Sequence, residues 1–354
     1  MRQPRRTVIG LAAALLSLGA LAACGGGSSS SDGGPQKLTI ATSSANSIQG
    51  ELYLAQQLGY TEKYGVDVEF VNAGALGVTQ VVSGKADLAQ FGTAAALGPQ
   101  AQGRGISIVY GLLNNISRGI VVSTKSPIQP GATEDVLMQL SGKTLVTQGT
   151  VGAAYGNTVI VADWIAEHGG EKPTIVSVDT ADGPTAQLIS GQADAALGLP
   201  DYAAGAIREG SLEMLVPNTD PVMTEITGGD FPAAALFGVE ANLKEKSEAV
   251  TAYVAALRDA HDYVMSHSID EVAAELAKHP AFEGQTAEVI ASTLQYDPPF
   301  FSPDGGRITE ESWDRTLSVM DDHNTGLDLT KPEFSYGELV DMSYWDDADG
   351  VRGK

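Results

Sequence analysis

Cysteine is almost absent from this sequence: of 354 residues, only Cys24 is one. A single thiol excludes an intramolecular disulfide, a CxxC redox pair and a cysteine-rich metal site. Cations are scarce as well. Without Arg2, Arg5 and Arg6, 18 of the 21 Lys and Arg remain against 44 Asp and Glu, a formal charge of −26 (18 − 44). Such a surface repels phosphate backbones, so no nucleic acid is expected as a partner. The apolar run 8–23 falls short of the ~20 residues that a spanning helix needs. The five histidines are scattered. Only His261 and His267 are near neighbours, and their spacing is neither i+3 nor i+4, so no metal site is expected. No Ser-His-Asp order or nucleophile elbow appears, and Gly149 is followed by no G-K-[ST], so neither an enzyme nor a nucleotide site is expected. No cofactor is implied.

What is present begins with M-R-Q-P-R-R, an apolar stretch and small residues before Cys24. These are the parts of a secretory signal. Leu21-Ala22-Ala23-Cys24 resembles a bacterial lipobox, which implies cleavage after residue 23 and lipidation of Cys24. Arg5-Arg6 leaves the general and twin-arginine export routes both open. The Gly/Ser stretch that follows, to residue 36, reads as a flexible tether. The 331 residues from Cys24 to Lys354 suggest about two domains.

From Lys37 onward, strand and helix patterns alternate. Strands are expected at 37–42, 66–71, 86–92 and 106–110, with helices at 50–63, 76–82 and 94–102. A second series follows Pro127: helices at 134–140, 153–168 and 185–190, and strands at 143–149, 174–178 and 193–199. This alternation predicts an α/β fold of right-handed βαβ units on parallel sheets. Ser83-Gly84-Lys85-Ala86-Asp87 and Ser190-Gly191-Gln192-Ala193-Asp194 sit at the same place in the two series. In each, glycine takes a left-handed helix C-terminus and a strand follows. The repeat predicts two similar doubly wound lobes, 37–121 plus 237–354 and 122–236. The stretches 119–124 and 233–239 cross between them, and the lobes close on a shared cleft by hinge motion. The pattern from 244 to 295 is helical, with breaks at His279-Pro280 and Gly284, and 310–320 is a further helix.

The lipobox, the two G-x-A-D strand entries, the Ser-rich loop at 42–47 and G-T-V-G-A-A-Y-G from Gly149 together resemble an ABC-importer solute-binding lipoprotein. The similarity is to the branch serving nitrate, aliphatic sulfonates, taurine and thiamin-pyrimidine precursors. It runs over nearly all of 37–347. It implies a type II periplasmic-binding-protein fold and an extracytoplasmic, membrane-anchored monomer. Such a receptor passes a small polar or anionic solute to an ABC permease and ATPase complex.

In such receptors loops at strand carboxyl ends meet the solute, which marks Ser43, Ser44, Asn46, Gly92, Thr93, Thr150, Val151, Gly152, Asp201 and Tyr202 as candidate contacts. The serines serve equally as plain helix caps. Tyr202 serves equally as core. Arg118, before the first crossover, is a candidate either for a sulfonate or carboxylate or for holding the hinge.

Overall fold

The computed structural model describes residues 34–42, 45, 49–114, 118–150, 152–180, 182–198, 200–295, 304–321 and 326–353. The chain divides into Met1–Gly34 and a folded unit, Pro35–Lys354. Cys24 therefore lies outside the described residues, as does the rest of the leader and tether through residue 33.

Among the described residues ten strands form two sheets: β1 (Gln36–Thr42), β2 (Val66–Asn72), β3 (Leu88–Gly92), β4 (Ile106–Asn114), β5 (Ile120–Ser123), β6 (Thr144–Gln148), β7 (Thr174–Val178), β8 (Ala195–Leu197), β9 (Leu212–Val216) and β10 (Pro232–Val239). The strand order is β2-β1-β3-β10-β4 in one sheet and β7-β6-β8-β5-β9 in the other. The plan is the same twice over. In each sheet the first-formed parallel strand lies between the second and third, and one strand runs against the rest. The sheets are thus mixed, where wholly parallel ones were expected. β10 is antiparallel to β3 and β4, and β5 to β8 and β9.

The antiparallel strands follow from the crossovers. β4 runs toward the carboxyl ends of its sheet, and the chain then enters the second sheet as β5, travelling away from that sheet's carboxyl ends. β9 and β10 repeat this in the opposite direction. Two links therefore join the carboxyl ends of one sheet to those of the other, the second of them carrying the helix Pro221–Ile226.

The repeated joint is the same down to single atoms. Gly84 and Gly191 have φ of 71° and 73°. Ser83 and Ser190 each donate their hydroxyl to the carbonyl three residues earlier, at 3.1 Å. Asp87 and Asp194 each clamp the first strand of their sheet. Asp87 donates its N–H to the Thr39 carbonyl and its carboxylate accepts from Thr39 N–H, both at 2.8 Å. Asp194 does the same to Thr144, again at 2.8 Å twice. The aspartate is thus a two-way strand clamp, which satisfies backbone groups at the end of a ladder. The small alanine before it, Ala86 or Ala193, is buried.

Several elements depart from their sequence patterns. The stretch 50–63 is two helices, Glu51–Gln57 and Tyr60–Lys63, because Gly59 takes φ 74° and stops the first. Residues Pro200, Asp201 and Tyr202, expected as a loop, open the helix Pro200–Arg208, with proline at its start as its fixed φ favours. β9 and the helices Pro221–Ile226 and Ser343–Arg352 had no periodic signal strong enough to mark them.

Burial is unequal. The first sheet is sandwiched between two apolar clusters holding Trp313, Tyr53, Tyr110, Tyr253, Phe231 and Phe237. The second is flanked by smaller ones of Val, Leu, Ile and Ala. Ala153 and Ile160 from the helix Ala153–Glu167 pack against the first sheet's cluster. Arg208 donates to the Ser292 hydroxyl at 2.9 Å, joining the helices that carry them.

Candidate functional site

The candidate site is the space beyond the facing carboxyl ends, where open α/β sheets receive ligands. Its loops follow β1, β3, β6, β7 and β8. Of the candidate contacts, Ser43, Ser44, Asn46 and Val151 lie outside the described residues, as do the side chains of Asp201 and Tyr202.

The structure brings Gly92, Thr150 and Gly152 to this end of the sheets. Gly92 is exposed at the end of β3. Thr93, beside it, is fully buried and donates its hydroxyl to the Pro232 carbonyl at 2.6 Å, tying β3 to the start of β10. After β6, Gly149 (φ 67°) donates to the Val178 carbonyl at 2.9 Å, and its own carbonyl accepts the Ser177 hydroxyl. Thr150 is exposed. Gly152, at φ 96°, opens the 15-residue helix Ala153–Glu167 without a side-chain cap. Only glycine holds such angles without strain. An uncapped helix start offers backbone N–H groups and about half a positive charge.

Arg118 is engaged by the crossovers. It is 5 % exposed. Its guanidinium donates to the Thr227 hydroxyl (3.1 Å), the Thr224 hydroxyl (3.5 Å), the Gly229 carbonyl (2.6 Å) and Asp230 Oδ1 (2.6 Å). Asn218 completes the lacing: its Oδ1 accepts from Arg118 N–H at 3.1 Å and Gly119 N–H at 2.5 Å. A Cβ on Gly119 would lie 2.9 Å from both Asn218 Oδ1 and the Val216 carbonyl, so the crossover demands glycine there. All four guanidinium contacts of Arg118 are with residues between β9 and β10. Asn218, Thr227 and Asp230 were not singled out from sequence. Their only signal was a Thr/Asn/Asp/Gly-rich stretch that reads as ordinary loop.

Beside these links lies a recess of about 190 Å³ bordered by Asn114, Asp230, Asp304, Arg307, Ser312 and Arg315. Two acids there balance two bases. Arg307 also pairs with Asp346 at 2.6 Å.

Lys37, Lys85, Arg104, Lys143, Lys172 and Arg208 stand at or before the starts of their strands, at the ends remote from the candidate site. The segments 42–50, 92–96, 149–152, 179–182 and 198–202 contain no Lys or Arg but do contain Asp179, Asp182 and Asp201.

Sequence reading also passed over a buried acid beside this end of the first sheet. Glu51, 1 % exposed, meets His261 Nδ1 at 2.7 Å and accepts from the Tyr110 hydroxyl at 3.1 Å. His261 is 210 residues away from its partner, so no local spacing revealed the pair. Gln90, 2 % exposed in β3, bonds Gln49 through its amide N–H, while its Oε1 is buried without a partner. Among the described residues no group of three His, Cys, Asp or Glu is placed to hold a metal ion. No helix among them is long and apolar enough to cross a membrane.

Two mixed sheets joined by paired crossovers are the type II periplasmic-binding-protein fold, and solved structures agree. The periplasmic aliphatic sulphonate binding protein SsuA from Escherichia coli superposes with a TM-score of 0.64 at 19 % identity, over 88 % of this chain and 99 % of that one. The periplasmic nitrate-binding protein NrtA from Synechocystis PCC 6803 gives 0.59 at 15 %, over 90 % and 89 %. The desulfurization enzyme DSZB gives 0.58 at 18 %, over 90 % and 100 %. The chain belongs to the NMT1/THI5-like family, whose model matches residues 46–269. No curated protein matches the sequence.

Proposed function

We propose that the chain is an extracytoplasmic receptor that closes on a small polar organic solute and delivers it to an ABC importer. The carrying observation is the paired crossover, which turns two sets of strand carboxyl ends toward one space. We place the lobe boundaries between β4 and β5 and between β9 and β10, which leaves β5 wholly in the second lobe and β10 in the first. Arg118 and Asn218 stiffen the links about which the lobes swing. Gly92, Thr150 and Gly152 are the contacts we assign among described residues, with Cys24 the lipid anchor and the monomer the working form. The sulphonate and nitrate receptors of the same fold support the role.

Charge placement favours one solute chemistry over another. A sulfonate or nitrate seeks an arginine or lysine. Here the loops of the candidate site carry acids and no such base, and Arg118 is engaged. An uncharged or cationic solute with N–H donors, such as an aminopyrimidine, is favoured over a strong anion. The enzyme precedent, DSZB, is the weaker reading. The buried acid Glu51 is already engaged by His261 and by the Tyr110 hydroxyl.

The test is the melting temperature of the tag-free protein against methanesulfonate, taurine, nitrate and 4-amino-5-hydroxymethyl-2-methylpyrimidine. A binder at a hundredfold excess over Kd stabilises by about 2.7 kcal/mol. A shift with the pyrimidine alone supports both statements. A shift with an anion alone keeps the receptor and overturns its solute class. No shift with any of them counts against the receptor.

A further inference from the structure

Glu51 is the first residue of the helix Glu51–Gln57, directly after the β1 loop. Its carboxylate is held from two other elements: His261 on the helix Ser247–Ser266, and Tyr110 on β4. The seat is tight. Gly306 has φ 86° and a Cβ there would fall 2.2 Å from the Tyr110 ring, while one on Gly305 would lie 3.5 Å from His261. A buried ion pair is seldom kept for stability, since well-packed apolar residues replace it at little loss. What this one provides is position. Gly50 O receives the N–H groups of Tyr53 and Leu54 at 3.0 and 2.8 Å. Gln49, one residue earlier, is bonded to Gln90 on β3, whose second amide atom is buried without a partner beside the candidate site.

We propose that Glu51, held by His261 and Tyr110, is the positioning residue of the solute site: it fixes the start of its helix and, through Gln49, sets Gln90 to receive the solute. This rests on the receptor reading above. The groups facing the pair are Asp262 on the helix of His261, Asp304 before Gly305, the buried Tyr253 hydroxyl, and Arg258 near Tyr110. Burial pulls the His261 imidazolium down, but the hydrogen bond and charge of Glu51, with Asp262 and Asp304, carry it above its ordinary value. Burial pushes the Glu51 carboxyl up, against His261 and Tyr110. A histidine raised in this way supports the native arrangement below its ordinary pKa and stops doing so as pH rises through its folded value. Above that point Glu51 is a buried anion without a cation.

Hydrogen exchange of the full chain tests this without a ligand. In wild type, protection of the 49–57 segment, corrected for intrinsic exchange, falls about tenfold between about pH 6 and about pH 8.5. Glu51→Gln, which keeps an acceptor and removes the charge, flattens that profile. His261→Lys restores protection at the higher pH. The Kd for the aminopyrimidine, or for methanesulfonate if that binds instead, weakens over the same range in wild type and not in Glu51→Gln. A wild-type profile that is flat, or one that Glu51→Gln reproduces, overturns the positioning role. Absence of binding by all four solutes named above, with the exchange profile as expected, counts against the receptor reading and leaves the coupling of Glu51 to its helix standing.

Discussion

The two sheets share one plan and differ in what surrounds them. Their helix-to-strand joints match bond for bond, from the left-handed glycine to the aspartate clamp. Yet Asp87 has an added partner, Lys246 at 2.8 Å, and the first sheet has the bulky aromatics and the carboxyl-terminal helices. The second rests on small aliphatic side chains. Burial scales with apolar area, so the first sheet is the anchored half and the second the lighter one.

The sharpest way to break the comparison is in the cores. Trp313→Ala removes a fully buried ring whose Nε1–H donates to the Phe334 carbonyl at 2.8 Å, with an expected loss of about 3–5 kcal/mol. Leu145→Ala, equally buried in β6, is expected to lose about 2–4 kcal/mol. Urea unfolding followed at Trp164 for the second sheet, and at Trp345 for the first, separates the halves. Trp164 reports the earlier transition if the asymmetry holds, and coincident transitions refute it.

The links come next. Arg118→Gln leaves the Gly229 carbonyl and the Thr227 hydroxyl without their donor, and about 1–3 kcal/mol is the expected loss. Small-angle scattering should show a broader spread of lobe arrangements. An unchanged profile would mean Arg118 does not restrain the hinge. The pH response is confined to the first sheet: unfolding followed at Trp345 weakens as pH rises through the folded pKa of His261, which lies above the ordinary value. Unfolding followed at Trp164 should not respond. The joints give the smallest contrast. Asp87→Ala and Asp194→Ala each free a strand N–H, for about 1–2 kcal/mol apiece. The added Lys246 pair, partly exposed, separates the two by under about 1 kcal/mol. A large gap between them would show the joints are not equivalent.

Much of this architecture was legible in residue order. The S-G-x-A-D repeat signalled a duplicated plan because the glycine conformation, the alanine step and the following strand are all local. The single-helix reading of 50–63 failed at Gly59, since the apolar period continues across the left-handed glycine that separates the two helices. Pro200 was taken for a loop because proline both breaks helices and begins them. The partners of Arg118 were not legible locally: its contacts lie 100–112 positions ahead. Glu51, His261 and Gln90 carried no signal at all. Each is an ordinary polar residue on a helix or strand, made singular only by burial.

The alternation of strand and helix, the duplication and the shortage of cations were settled by the sequence alone, because turn conformation, hydrophobic period and charge count are properties of neighbouring residues or of composition. Where the cations lie, which side chains lace the crossovers and which acid is buried beneath the first helix were decided by tertiary structure. Those features depend on contacts 59 to 210 residues apart, and only the closing of the sheets brings such groups within hydrogen-bond reach.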